Sequence, residues 1–205
     1  YINLNAREQD KIDSSVERII QTAKISDLCG AESMTFHAAF YMKDSPYDVF
    51  DLVEKSMNVI EERLSRLDIE IELRPELTGK TSQFGSLEEL ITLTKSVGSV
   101  HPCMDFSHLY ARTGKYNTYE EILEVLNQLE IELGSKALKN MHIHVSGISS
   151  NSKGDLKHLN LEKSKFNWRD MLRALKEKDC RGYVISNSPN LEDDAKMLKD
   201  YYVAL

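Results

Sequence analysis

The chain has 205 residues, 41% of them hydrophobic and 29% charged, with a formal net charge of −7. This is the composition of an ordinary soluble globular protein with one sizeable core, and a single domain over residues 1–205 is the default expectation. No run approaches the roughly 20 apolar residues of a membrane span, and the acidic balance argues against nonspecific nucleic-acid binding, although a local basic face on an acidic body remains compatible with it.

The three cysteines, Cys29, Cys103 and Cys180, are odd in number, widely spaced and set in or beside apolar segments, as reduced intracellular thiols are. Reduced thiols of this kind point to a cytoplasmic protein, and no basic-then-apolar leader suggests secretion, while the initial Tyr in place of Met leaves the true N-terminus outside these residues as the expectation.

In chain order, INLN is a short extended piece, and Ile12, Val16, Ile19, Ile20, Ala23 and Leu28 then follow helical spacing up to Cys29-Gly30. Residues 33–39, SMTFHAA, read as a strand with His37 near its end. Pro46 fits the first turn of a helix whose apolar face runs through Val49, Phe50, Val53, Met57, Ile60 and Leu64. From Ile69, IEIELRPE alternates strictly, with Glu70, Glu72, Arg74 and Glu76 on one side. The loop LTGKTSQFGS leads into a helix defined by Leu87, Leu90, Ile91 and Leu93.

VHPCMDFSH, residues 100–108, reads as a strand ending at Asp105, with His108 where the strand gives way to a loop. Two readings fit this stretch. Asp and His at the end of a buried strand pack poorly and bind metal well; alternatively, Asp105 caps the next helix with a histidine beside it.

A helix over residues 119–133 ends at Gly134, and NMHIHVSG is another strand, with His142 and His144 on one face. Residues 148–164 read as the longest polar loop and hold His158. Residues 166–178 are helical, GYVISNSP is the last strand, and residues 191–202 close the chain as a helix.

Strand and helix thus alternate throughout, which implies a parallel sheet with helices outside. No Gly-rich dinucleotide fingerprint follows a strand, and Gly79-Lys80-Thr81 has Arg74 where a phosphate loop needs glycine. Alternating charges within a strand suit a barrel with a polar interior better than a flat buried sheet. The expected fold is therefore α/β, of the TIM (β/α)8 type. Six strand–helix units are counted, against eight in a complete barrel of typically about 250 residues. Without two units, an open sheet with exposed edge strands is expected.

His37, Glu76, Asp105, His108, His142 and His158 each fall at a strand end or in the loop after it. In a barrel these ends share one face. Imidazoles with two carboxylates make a zinc-type ligand set, whereas any one histidine alone reads more readily as a hydrogen-bonded structural residue. Counting His144, five of the six histidines fall on that face, while His101 begins its strand and belongs deeper or at the opposite end.

In YINLN, TFHAA, RPELTGKTSQFGS, CMDFSH, MHIHVS, KHLNL and VISNSPNLEDD, in that order, the chain resembles the endonuclease IV family of apurinic/apyrimidinic endonucleases on a xylose isomerase-like TIM barrel. The resemblance implies a cluster of up to three zinc ions, with manganese as an alternative, held by His37, Glu76, Asp105, His108, His142 and His158. Glu76 would be the bridging carboxylate, and Glu76, Asp105 and His142 the catalytic core.

It implies an enzyme acting on double-stranded DNA at abasic sites in base excision repair; no membrane partner is expected, and a monomer is the expected state, although the sequence does not fix it. Lys80, Gln83, Arg112 and Lys115 are the expected DNA contacts, their other reading being solvated polar loops.

Three departures stand out. The family's first histidine ligand precedes the tyrosine at which these residues start, Asn187 stands where the last strand should supply a glutamate ligand, and Leu156 replaces a loop aspartate, leaving Asp155 one position out of register. A neutral amide is a weaker zinc ligand than a carboxylate. Two alternatives follow: a sugar isomerase or epimerase on the same barrel holding one divalent ion, and a catalytically weakened DNA-binding homologue.

Overall fold

A computed structural model describes residues 1–205, which group into two compact units, one of residues 1–76 with 82–102 and the other of residues 77–81 with 103–205.

In the first unit, α1 (Gln9–Leu28) buries Val16, Ile19, Ile20 and Ala23 on one stripe, the spacing that a 3.6-residue period requires. In α2 (Pro46–Arg66) the Ser45 hydroxyl accepts from Asp48 N–H and Pro46 takes the first turn, while Val49, Val53, Met57, Ile60 and Leu64 face inward. A reciprocal Ser86–Glu89 capping box starts α3 (Leu87–Ser96).

Strands β1 (Ser33–Phe36) and β2 (Glu72–Pro75) pair in parallel, with Phe36 opposite Pro75. Both strands are shorter than the sequence pattern suggests. Ile2–Asn5 is not a strand, yet Leu4 N–H donates to Ala38 O at 3.0 Å, so the first expected unit keeps its helix and one sheet-like bond. The strand face carrying Arg74 is buried: its guanidinium, 2% exposed as a residue, binds the Glu72 carboxylate and Pro102 O. Paired charges inside the sheet satisfy one another there, which is how a polar interior is tolerated. His101, expected to begin its strand, lies outside the strands, 4.0 Å from Glu72, the first residue of β2.

In the second unit β3 (Cys103–Asp105), β4 (Met141–Val145) and β7 (Gly182–Ser186) form a parallel sheet in the order β3-β4-β7. Around it are α4 (Phe106–Thr113), α5 (Tyr119–Leu133), the short α6 (Ser135–Lys139), α7 (Trp168–Glu177) and α8 (Glu192–Ala204). A Thr118–Glu121 capping box begins α5 and Gly134 follows its end, as its sequence implies.

Two expectations are corrected. His108 lies in the first turn of α4 rather than in a loop, because Asp105 caps that helix. Residues 148–164 are mostly an antiparallel hairpin, β5 (Gly147–Asn151) and β6 (Gly154–Leu159), turning at Gly154 with φ +104°. A side chain at Gly154 would overlap Gly79 O, so the hairpin tip lies flush against the 77–81 loop. The strand ladders total five parallel strands, in two sheets, and no eight-stranded cylinder is closed.

Candidate metal centre

The ladder between β1 and β2 runs one step past both strands, since Glu76 N–H donates to Phe36 O at 2.9 Å. That step sets His37, just after β1, beside Glu76, just after β2. His37 Nε2 and Glu76 Oε2 are 3.5 Å apart, with the carboxylate buried and the imidazole partly open. Sequence reasoning placed both at strand ends, and in the first unit they come together.

In the second unit the capping reading of the Asp105 stretch is realised, and the second oxygen of the same carboxylate takes no part in the cap. Asp105 Oδ1 accepts from His108 N–H at 2.8 Å and from the Ser107 hydroxyl, so that oxygen caps α4. Oδ2 accepts no hydrogen bond and lies 3.4 Å from His108 Nδ1, in a residue that is 0% exposed. A buried carboxylate oxygen without a donor is costly unless a cation faces it. Ser107, which nothing in the sequence singles out, also accepts from Ser146 N–H at 3.2 Å and so ties the Asp105 end of β3 to the segment after β4.

His108 and His158 carry the clearest signal. His108 Nδ1 is 3.0 Å from Leu77 O, and His158 Nδ1 is 3.1 Å from Asn187 O. A ring nitrogen beside a carbonyl oxygen must donate, so in the neutral tautomers both Nε2 atoms present lone pairs. Those two Nε2 atoms face each other at 3.3 Å. Two lone pairs at that distance repel unless a proton or a metal cation lies between them. Two imidazoles on one tetrahedral zinc, with bonds of about 2.0–2.1 Å, hold their nitrogens about 3.3 Å apart. The donor set therefore fits a zinc ion on an observation independent of any resemblance.

Asn187 is half-buried and meets this group through its backbone: its carbonyl orients His158 and its N–H donates to Val145 O at 2.8 Å. His142 lies across the β3–β4 ladder from Cys103, and His144 across from Asp105. Leu156 is exposed, and Asp155 packs its side chain against Gly79.

Among the four expected DNA contacts, Lys80 and Lys115 are exposed and Gln83 is buried in a bridge to Phe40. Arg112 turns inward: its guanidinium donates to Thr78 Oγ1 at 3.0 Å and to Lys80 O at 2.6 Å, clamping the 77–81 loop from α4. No sequence signal separates such a clamp from a solvated arginine.

Parallel strands with helices around them, and imidazoles and carboxylates near their ends, define the class as a barrel-type α/β protein whose side chains offer possible metal ligands. The family described as xylose isomerase-like TIM barrel matches residues 1–201, and the chain belongs to that family. It is 43% identical over 98% of its length to an uncharacterized protein of Methanocaldococcus jannaschii, spanning 74% of that protein. It is 24% identical over 85% of its length to a probable endonuclease 4 of Aster yellows witches'-broom phytoplasma, spanning 60% of it.

Among solved structures, a D-tagatose 3-epimerase-like protein matches 99% of the chain, over 74% of its own, with TM-score 0.76 and 18% identity. Endonuclease IV from Thermus thermophilus matches 100% of the chain, over 73% of its own, with TM-score 0.72 and 22% identity. These likenesses establish the fold. No helix is long and apolar enough to cross a membrane.

Proposed function

We propose that this chain belongs to a zinc-dependent endonuclease that cleaves the DNA phosphodiester 5′ to abasic sites in base excision repair. The observation that carries the reading is the His108–His158 pair, whose Nε2 atoms face each other at 3.3 Å while both Nδ1 atoms are tied to carbonyls. The likeness to endonuclease 4 relatives supplies the substrate class. The proposed ligands are His37, Glu76, Asp105, His108, His142 and His158, with zinc or manganese as the metal and double-stranded DNA as the partner.

Bound metal would supply Lewis acidity to a phosphate and lower the pKa of an attacking water. The chain's own groups prepare for that chemistry. Leu77 O and Asn187 O fix the tautomers of His108 and His158, so that each presents a basic nitrogen. Ser107 and the α4 backbone hold Asp105 through one oxygen and leave the other available. Arg112 braces the 77–81 loop that carries Leu77 O, while Lys80 and Lys115, both exposed, are the proposed contacts to the DNA backbone. Gln83 and Arg112 then act by shaping loops rather than by touching DNA.

The test is cleavage of an abasic-site duplex in the presence of zinc. Activity is expected to fall by at least about 100-fold in Glu76→Ala, as for loss of a metal-orienting group; equal rates in the two proteins would remove the proposal. Asn187→Glu is expected to raise zinc stoichiometry or affinity by restoring a charged ligand, read by elemental analysis, and no change would mean that the Asn187 side chain does not face the metal.

The epimerase-like neighbour favours a second reading, a sugar isomerase or epimerase using one divalent ion at Glu76, Asp105 and His142. Manganese, magnesium or cobalt dependence with DNA left intact would select it. Binding of abasic DNA without turnover would instead indicate a weakened homologue, the outcome that Asn187 favours.

A further inference from the structure

Cys103, His142 and His144 occupy one face of the β3–β4 ladder. Cys103 stands directly across from His142, and His144 lies two residues along the same strand, hence on the same side. The thiol sulfur and one ring nitrogen from each histidine lie within 4.8 Å of one another. All three residues are buried, Cys103 completely and each histidine to 8% exposure, and the two ring centroids are 5.2 Å apart, edge to face. Cys103 forms no disulfide.

The resemblance assigns a metal-binding role to His142 alone of these three. As ligands they suit one another: a thiolate and two neutral imidazoles make a zinc set of charge −1, carried on rigid neighbouring strands rather than on loops.

We infer that Cys103, His142 and His144 form a second cation site, holding a thiophilic divalent ion such as zinc, apart from the His108–His158 pair. On binding, the Cys103 thiol gives its proton to solvent and its sulfur becomes a ligand; three protein donors leave one position of a tetrahedral ion open. The sulfur ligand selects zinc or cadmium over magnesium and calcium. The site shares His142 with the proposed endonuclease centre, but it stands on Cys103 and His144 and requires no DNA chemistry.

Zinc X-ray absorption on the zinc-saturated full chain tests it directly. Cys29→Ser/Cys180→Ser leaves Cys103 as the sole cysteine, and a sulfur scatterer at about 2.3 Å is expected to persist in that variant. Its loss in Cys103→Ser, and a smaller sulfur contribution in His144→Asn with unchanged far-ultraviolet circular dichroism, complete the expected result. An all-nitrogen and oxygen shell in the double variant overturns the inference, whatever the folding of Cys103→Ser. Glu76→Ala separates the two readings, because it should abolish cleavage while leaving the sulfur shell in place.

Discussion

Strands β4 and β7 are hydrogen-bonded neighbours in one parallel ladder, pairing from Met141 with Gly182 to Val145 with Ser186. Both are short and rich in β-branched residues, yet all five residues of β4 are buried, while Tyr183, Val184 and Ile185 of β7 are 51%, 42% and 40% exposed. β4 has a strand on each side, whereas β7 ends the sheet, and a cavity of about 450 Å3 runs along it between α7 and α8. Composition makes a segment extended, but covering elements decide how much its side chains contribute to stability.

The largest effect that would test this contrast is a matched truncation. Ile143→Ala in β4, at a residue 2% exposed, should cost about 2–5 kcal/mol, and Ile185→Ala in β7 less than about 1 kcal/mol. Urea unfolding of both variants reads the difference, and equal losses would break the comparison.

A smaller effect is expected where the two strands touch. Gly182 has φ +123°, and an added Cβ would lie 2.0 Å from Met141 O. Gly182→Ala should therefore destabilise by about 1–3 kcal/mol from backbone strain, more if the carbonyl cannot move, and a neutral outcome would show that β7 shifts freely against β4.

The smallest effect is chemical. Cys180 lines the β7 cavity, and burial pushes its thiol up to about 11, so it stays protonated at pH 8. Iodoacetamide should modify exposed Cys29 first and Cys180 more slowly, with the gap closing as pH approaches 11. Mass spectrometry of the timed products follows both sites, and equal rates at pH 8 would mean that the cavity is wetter than the strand contrast implies.

Much of the fold was legible. Helix stripes such as Val49, Val53, Met57, Ile60 and Leu64 appear in α2 as the spacing required, because a 3.6-residue period leaves only one face to bury. The hairpin within residues 148–164 was not legible. Its strands, GISSN and GDLKHL, are short and polar, and they are held by pairing and by contact with Gly79 rather than by an apolar face.

The candidate site divides in the same way. His37, Glu76, Asp105, His108, His142 and His158 were visible as metal-type residues expected at strand ends or in the loops after them, and of these His108 lies in α4 and His158 in β6. The capping role of Asp105 Oδ1, the inward turn of Arg112 and the pairing of Cys103 with His142 depend on partners 3 to 39 residues away in sequence.

By itself, the sequence determined the long helices, the stretches that pair as parallel strands, the α/β class, and the family through its spaced Asp, Glu and His motifs. These follow from local periodicity and residue chemistry, which each segment carries with it. Only the tertiary structure decided which ring nitrogens face one another, as between His108 and His158, and which strand is covered, as with β4 and not β7. Those outcomes belong to pairs of distant segments, and the free energy of a contact or a desolvated atom is defined only once both partners are in position.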